Sequence, residues 1–165
     1  MKHPLDSQLP TIESSEILCE KKGRKLQVDQ LLLPGGEKYE YITFVSHDKA
    51  VMVLAQTSDG KFVINEEYRH PTGKILLSLP GGCVDGGEEP IDAAARELFE
   101  ETGYKASKYT YLGQVHPFPG NHGQETFYYL ATDAYKASDA SPELCEIFLT
   151  SEMTLDEINK RLLEA

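Results

Sequence analysis

Apolar residues recur at near-alternate positions through much of the first half of the chain, and then at intervals of three and four in a stretch near its middle. Residues 25 to 33 and 38 to 46 are rich in Leu, Val, Tyr, Ile and Phe, with Pro34-Gly35-Gly36 between them as a turn, and this predicts a hairpin. A second hairpin is expected from Ala50–Gln56 and Lys61–Tyr68, joined through Ser58-Asp59-Gly60, with a short apolar run at Ile75–Leu79 after it. From Pro90 the period becomes helical: Ile91, Ala94, Ala95, Leu98 and Thr102 fall in one stripe about 100° wide, Pro90 suits the first turn and Gly103 suits the residue just past the end. Strands resume at Tyr109–His116 and Thr126–Thr132, with a short one near Ile147–Leu149, and Thr154-Leu155-Asp156-Glu157 reads as a capping box opening a C-terminal helix. Strands with segregated helices imply mixed α and β layers.

Composition narrows what such a fold can do. The 165 residues make one domain of ordinary size, without repeats or a linker between independent cores. Sixteen Lys plus Arg against twenty-seven Asp plus Glu give a net charge of −11, so nucleic-acid binding through a basic face and docking on an anionic membrane are both disfavoured. The three cysteines, Cys19, Cys83 and Cys145, are odd in number and widely spaced, which frames neither a disulfide scaffold nor a zinc knuckle. With no apolar leader or spanning run, a cytoplasmic location is the expectation.

The chemistry concentrates on the predicted helix. Glu97, Glu100 and Glu101 share one flank of it with no lysine among them, and like charges at i and i+4 oppose each other by roughly 0.2–0.5 kcal/mol even in solvent. A missing cation would relieve this. Immediately upstream, Pro80-Gly81-Gly82-Cys83-Val84-Asp85-Gly86-Gly87-Glu88-Glu89 is a glycine-rich loop able to bring backbone carbonyls close to a ligand. Oxygen ligands without a His/Cys cluster favour a hard cation, and Mg²⁺, which keeps waters and bridges to phosphates, suits the pattern better than a closed Ca²⁺ cage. No EF-hand loop is present.

Gly82, then Glu88, then Arg96-Glu97-Leu98-Phe99-Glu100-Glu101-Thr102-Gly103-Tyr104 resembles the Nudix box of the Nudix hydrolase family at its fixed positions, with Tyr104 where an aliphatic residue is usual. The resemblance implies an α+β fold, an α/β/α sandwich of Nudix type with a mixed sheet between helices and an N-terminal β-hairpin extension. It also implies hydrolysis of a nucleoside diphosphate linked to another moiety, by water attack at phosphorus with Mg²⁺, or Mn²⁺ in its place, held by Gly82, Glu97, Glu100 and Glu101. Arg96 would orient a glutamate through a charge-assisted hydrogen bond, while Glu88 and Gly103 would be structural.

Outside the box, Glu67-Tyr68-Arg69-His70-Pro71 and Leu79-Pro80-Gly81-Gly82 resemble the strand and loop of the ADP-ribose pyrophosphatase branch, which usually reads Leu-Pro-Ala-Gly in the loop. Phe118-Pro119-Gly120 stands where that branch carries Ser-Pro-Gly. By this resemblance Arg69, Pro119 and Gly120 are candidates for substrate binding, ADP-ribose is the first substrate, and residues 1–46 are a dimerisation segment that would make a homodimer. A glutamate five residues past the loop proline often activates water in that branch; here the place holds Gln124, with Glu125 next. If the loop is one residue longer Glu125 serves as base, and otherwise Glu100 or hydroxide on a metal does. His116 and His122 flank the loop and could contact phosphate or base. Two alternatives stand beside this reading: another pyrophosphatase substrate, such as a nucleotide sugar, NADH or a nucleoside triphosphate, and a nucleotide-binding sensor without catalysis.

Overall fold

The computed structural model describes residues 3–141 and 146–164, and Cys145 lies outside them. The chain divides into two compact units, Met1–Asp48 with His116–Gln124, and Lys49–Val115 with Glu125–Ala165.

The first unit is a three-stranded antiparallel sheet, β1 (Thr11–Lys21), β2 (Arg24–Leu32) and β3 (Lys38–Val45), with β2 in the middle. The expected β2–β3 hairpin is present, but the extension is a three-stranded sheet because β1 adds to its edge. The sequence pattern conceals β1: all eleven of its residues are exposed, Ile17 and Leu18 are adjacent rather than alternating, and two register irregularities interrupt the pairing. With neither face buried, no alternation is imposed on the strand. In the loop of this unit, Tyr41 Oη donates to the Gly120 carbonyl at 2.5 Å, and His122 pairs with Ser46 Oγ at 2.9 Å and accepts the Gln124 backbone N–H at 2.9 Å. Asp29, Leu31, Tyr41, Thr43, Pro119 and His122 line an open pocket of about 340 Å³.

The second unit holds a seven-stranded mixed sheet formed by β4 (Lys49–Thr57), β5 (Phe62–Arg69), β6 (Lys74–Ser78), β7 (Tyr104–Lys105), β8 (Lys108–Val115), β9 (Glu125–Lys136) and β10 (Phe148–Met153). The order runs β10-β5-β4-β9-β7, with β6 on β5 and β8 on β9; β4 and β9 are parallel and the other pairs antiparallel. Burial along β4 alternates strictly, Val51, Val53, Ala55 and Thr57 being buried, which is the period-2 signal of one covered face. The cover is α1 (Pro90–Thr102), whose Ala93, Ala94 and Leu98 join Val51, Val53, Val63, Tyr129 and Ala131 in one core. Helix α2 (Leu155–Glu164) follows β10 and opens with the expected capping box, Thr154 N and Oγ1 donating to Glu157 Oε2 at 2.8 Å each.

Helix α1 departs from expectation in its buried face. Ile91 is 44% exposed and the buried set is Ala93, Ala94, Leu98, Glu101 and Thr102, so the face turns toward the acidic flank. Small alanines allow close approach to the sheet on that side, and Ile91 lies in the first turn, where the helix end is open. The helix stops at Gly103, whose φ of 71° is left-handed and whose N–H caps the Phe99 carbonyl. A Cβ there would come within 2.1 Å of the Ser138 carbonyl oxygen, so both conformation and space require glycine. Among the described residues no helix is long and apolar enough to cross a membrane.

Candidate active site

Strand β4 pairs with β5 only at Ala55 and Gln56. Beyond that the two strands part, and the glycine loop takes the free edge of β4: Val53 N donates to the Pro80 carbonyl and Val51 N to the Gly82 carbonyl, each at 2.8 Å, and Val84 N donates to the Lys49 carbonyl at 3.1 Å. The close packing dictates both glycines. A Cβ on Gly81 would meet the Val51 carbonyl oxygen at 2.2 Å, which accounts for glycine where the resembling branch has alanine. A Cβ on Gly82 would meet Glu97 Oε1 at 2.5 Å, so the missing side chain is the space in which the Glu97 carboxylate sits against the loop.

Arg96 ties the acidic flank to the loop with all five of its N–H groups. Nε and Nη2 form a fork on Glu88 at 3.0 Å each, Nη2 also donates to the Cys83 carbonyl at 3.0 Å, and Nη1 donates to Glu97 Oε1 at 2.8 Å and Glu100 Oε2 at 3.1 Å. The guanidinium holds the Glu88 carboxyl below the usual range, while Glu88 Oε2 accepts the Asp85 N–H and so fixes the loop. The pairing in turn raises the Arg96 pKa above its already high ordinary value.

The three box glutamates sit at three depths. Glu100 is half exposed, Glu97 is largely buried, and Glu101 is 7% exposed. Burial pushes Glu97 upward despite Arg96. It pushes Glu101 up to about 8, reinforced by the charges of Glu97, Glu146 and Glu67 and opposed by the Gly81 N–H. Glu67, buried on β5, is also raised by burial and by Glu146, against the pull of Arg69 at 2.6 Å. Four carboxylates from β5, α1 and the segment before β10 therefore share one region, and among the described residues Arg96 and Arg69 are the cations acting on them.

As they stand, no three His, Cys, Asp or Glu side chains among the described residues converge into a ready cation cage, because Glu97 and Glu100 turn toward Arg96. The donor set nonetheless suits a hard divalent cation: it is all oxygen, burial and the neighbouring carboxylates oppose ionisation of Glu101 when no cation is present, and Gly82 lets the Glu97 carboxylate lie against the loop. Gly82 offers its carbonyl, one lone pair of which already accepts Val51 N.

The other sequence candidates are placed as follows. Arg69 ends β5, half exposed and paired with Glu67. Glu125 opens β9 and accepts from Gln114 Nε2 at 3.1 Å. Pro119 and Gly120 lie in the loop of the first unit. His116 pairs with the Gln124 carbonyl at 3.2 Å. Glu146 and Asn65 have no place in the sequence expectations, and Glu67 enters them only as part of the segment that carries Arg69; all three reach the acidic group from outside the box. Asn65, 1% exposed on β5, donates to Glu101 Oε2 at 3.0 Å. A buried amide in a strand was the available signal, and nothing in linear spacing tied it to Glu101.

The family described as NUDIX domain matches residues 46–165. The chain is 36% identical over 150 residues to a methanol dehydrogenase activator of Bacillus methanolicus, covering 89% of this chain and 79% of that protein. It is 37% identical over 108 residues to an ADP-ribose pyrophosphatase of Bacillus subtilis (66% of this chain) and 38% identical over 122 residues to one of Mycobacterium tuberculosis (72% of this chain), and it spans 58% of the length of each. Among solved structures, a crystal structure of ADP compounds hydrolase superposes with a TM-score of 0.82 at 26% identity, over 96% of this chain and 84% of that one.

Proposed function

The chain belongs to the NUDIX domain family, and on that premise we propose that it hydrolyses the diphosphate linkage of a nucleoside diphosphate joined to a second group, ADP-ribose before others, to AMP and ribose 5-phosphate. The supporting observation is the buried surplus of carboxylate around Glu101, beside a loop whose Gly82 leaves space at Glu97. Structural packing alone gives no reason to bury carboxyl groups together where burial opposes their ionisation. A relative and a structural neighbour named for ADP-ribose and ADP compounds favour the substrate.

Glu97, Glu100 and Glu101, with the Gly82 carbonyl, would hold divalent cation, Mg²⁺ or Mn²⁺ in its place. When bound, the cation supplies positive charge that neutralises phosphoryl oxygens and eases the ionisation of water. The chain's own residues do the rest. Arg96 fixes the glutamates against the loop, Glu88 fixes Arg96, and Arg69 offers a guanidinium to phosphate oxygens. Pro119 and Gly120 are assigned to the substrate's outer group. Water forms the new bond to phosphorus, the bridging P–O bond breaks, and a carboxylate takes the water's proton. Glu146 is the better base than Glu125, because its charge acts on Glu67, Glu97 and Glu101 whereas Glu125 accepts from Gln114 on β8. The enzyme works as a cytoplasmic homodimer joined through residues 1–46.

The test is product chromatography on ADP-ribose, nucleotide sugars, NADH and a nucleoside triphosphate with Mg²⁺. AMP and ribose 5-phosphate from ADP-ribose are expected, with Glu146→Gln slowing turnover by orders of magnitude and Glu125→Gln retaining most of it. The relative named as an activator of another enzyme favours a second reading, a nucleotide-binding regulator. Tight nucleotide binding with no turnover on any substrate would select it.

A further inference from the structure

Asn65 sits in the middle of β5 beside its register partner Thr150 on β10, and it is the most deeply buried polar side chain touching the acidic group. Its neighbours Val63 and Ile64 show that the strand accepts apolar residues in full burial, so an amide here answers to something other than packing. Thr150 Oγ1 donates to Asn65 Oδ1 at 2.7 Å and Asn65 Nδ2 donates to Glu101 Oε2 at 3.0 Å. When ionised, the Glu101 carboxylate only accepts and so orients the amide: Nδ2 faces Glu101, Oδ1 is left toward Thr150, and the Thr150 hydroxyl donates to it and so satisfies the buried carbonyl. Gly81 N donates to the same Glu101 oxygen at 3.1 Å. One oxygen of Glu101 is thus clamped from a strand and from the glycine loop, while Oε1 accepts no hydrogen bond among the described residues.

We propose that Asn65, supported through Oδ1 by Thr150, is a positioning residue that holds Glu101 by Oε2 so that Oε1 is the atom presented to the divalent cation. The proposal rests on the reading of the box as a cation site. Its test is a titration of Mn²⁺ into the metal-free full chain, followed by the loss of the free-ion electron paramagnetic resonance signal, for native protein, Asn65→Leu, Thr150→Val, Thr150→Ser and Glu97→Gln. Groups that orient metal ligands typically carry about 10- to 100-fold in affinity. A weakening of that size is expected in Asn65→Leu and a smaller one in Thr150→Val, with Thr150→Ser, which keeps the hydroxyl, at the native value. Melting curves taken alongside separate loss of fold from loss of binding, and if Asn65→Leu does not fold, the near-isosteric Thr150→Val carries the test. Native affinity in both Asn65→Leu and Thr150→Val, with Glu97→Gln impaired, would overturn the positioning role and leave the cation site standing. No saturable binding by the native chain would overturn both.

Discussion

Arg96 has five N–H groups and each has an acceptor: two oxygens of Glu88, one each of Glu97 and Glu100, and the Cys83 carbonyl. A lysine has three donors on one atom and cannot span this arc. Arg96→Lys is therefore expected to keep the fold and lower kcat/KM about 10- to 100-fold, the usual range for a group that orients metal ligands; steady-state rates with far-ultraviolet circular dichroism as the fold control check it. An unchanged rate would reduce Arg96 to a surface residue. At this scale the box was legible because its residues lie within one loop and one helix, where spacing fixes neighbourhood. Glu67, Asn65 and Glu146 were not, since they come from β5 and from the segment before β10. Only the pairing of β10 with β5 sets Thr150 beside Asn65, and no local pattern encodes that pairing.

Among the elements, α1 joins core to chemistry. Leu98 is fully buried against the sheet, one turn from Glu101 and adjacent to Glu97, so the packing that seats the helix also sets the depth of its acids. Leu98→Ala should cost roughly 2–5 kcal/mol of stability. Urea denaturation measures this, and an unchanged midpoint would mean that the helix is not anchored there. The period-2 and period-3.6 signals found β4 and α1 because each has one covered face, and the α1 boundaries followed from Pro90 and Gly103. Which residues of α1 go under was misjudged at Ile91, because a wheel treats Glu101 as polar and so as outward, whereas this glutamate is buried on a site. Strand β1, exposed throughout, carries no such signal.

Across the molecule, a net charge of −11 and a buried acidic group make the metal-free fold sensitive to pH. Glu101, ordinarily near 4.5, is raised to about 8 by burial and by Glu97 on its own helix, Glu67 on β5 and Glu146 before β10. A raised carboxylate contributes its stability in full below its unfolded value and loses it as pH climbs through the folded value. Glu88, lowered by Arg96, acts oppositely: its contribution is present above about 4.5 and fades as pH falls through the depressed value. The metal-free protein should thus melt at progressively lower temperature from about pH 5 to about pH 8.5, and saturating Mg²⁺ should remove that decline, since metal binding displaces the proton. Calorimetry at several pH values, with and without Mg²⁺, tests it; a flat metal-free profile would contradict the buried charge. The central claim, that this carboxylate group exists to hold divalent cation beside a diphosphate, is tested most directly by crystals soaked with Mn²⁺ and a non-hydrolysable ADP-ribose analogue. Anomalous peaks in contact with Glu97 and Glu101 and next to the diphosphate are predicted. Peaks absent there, with the analogue bound away from the box, would contradict it.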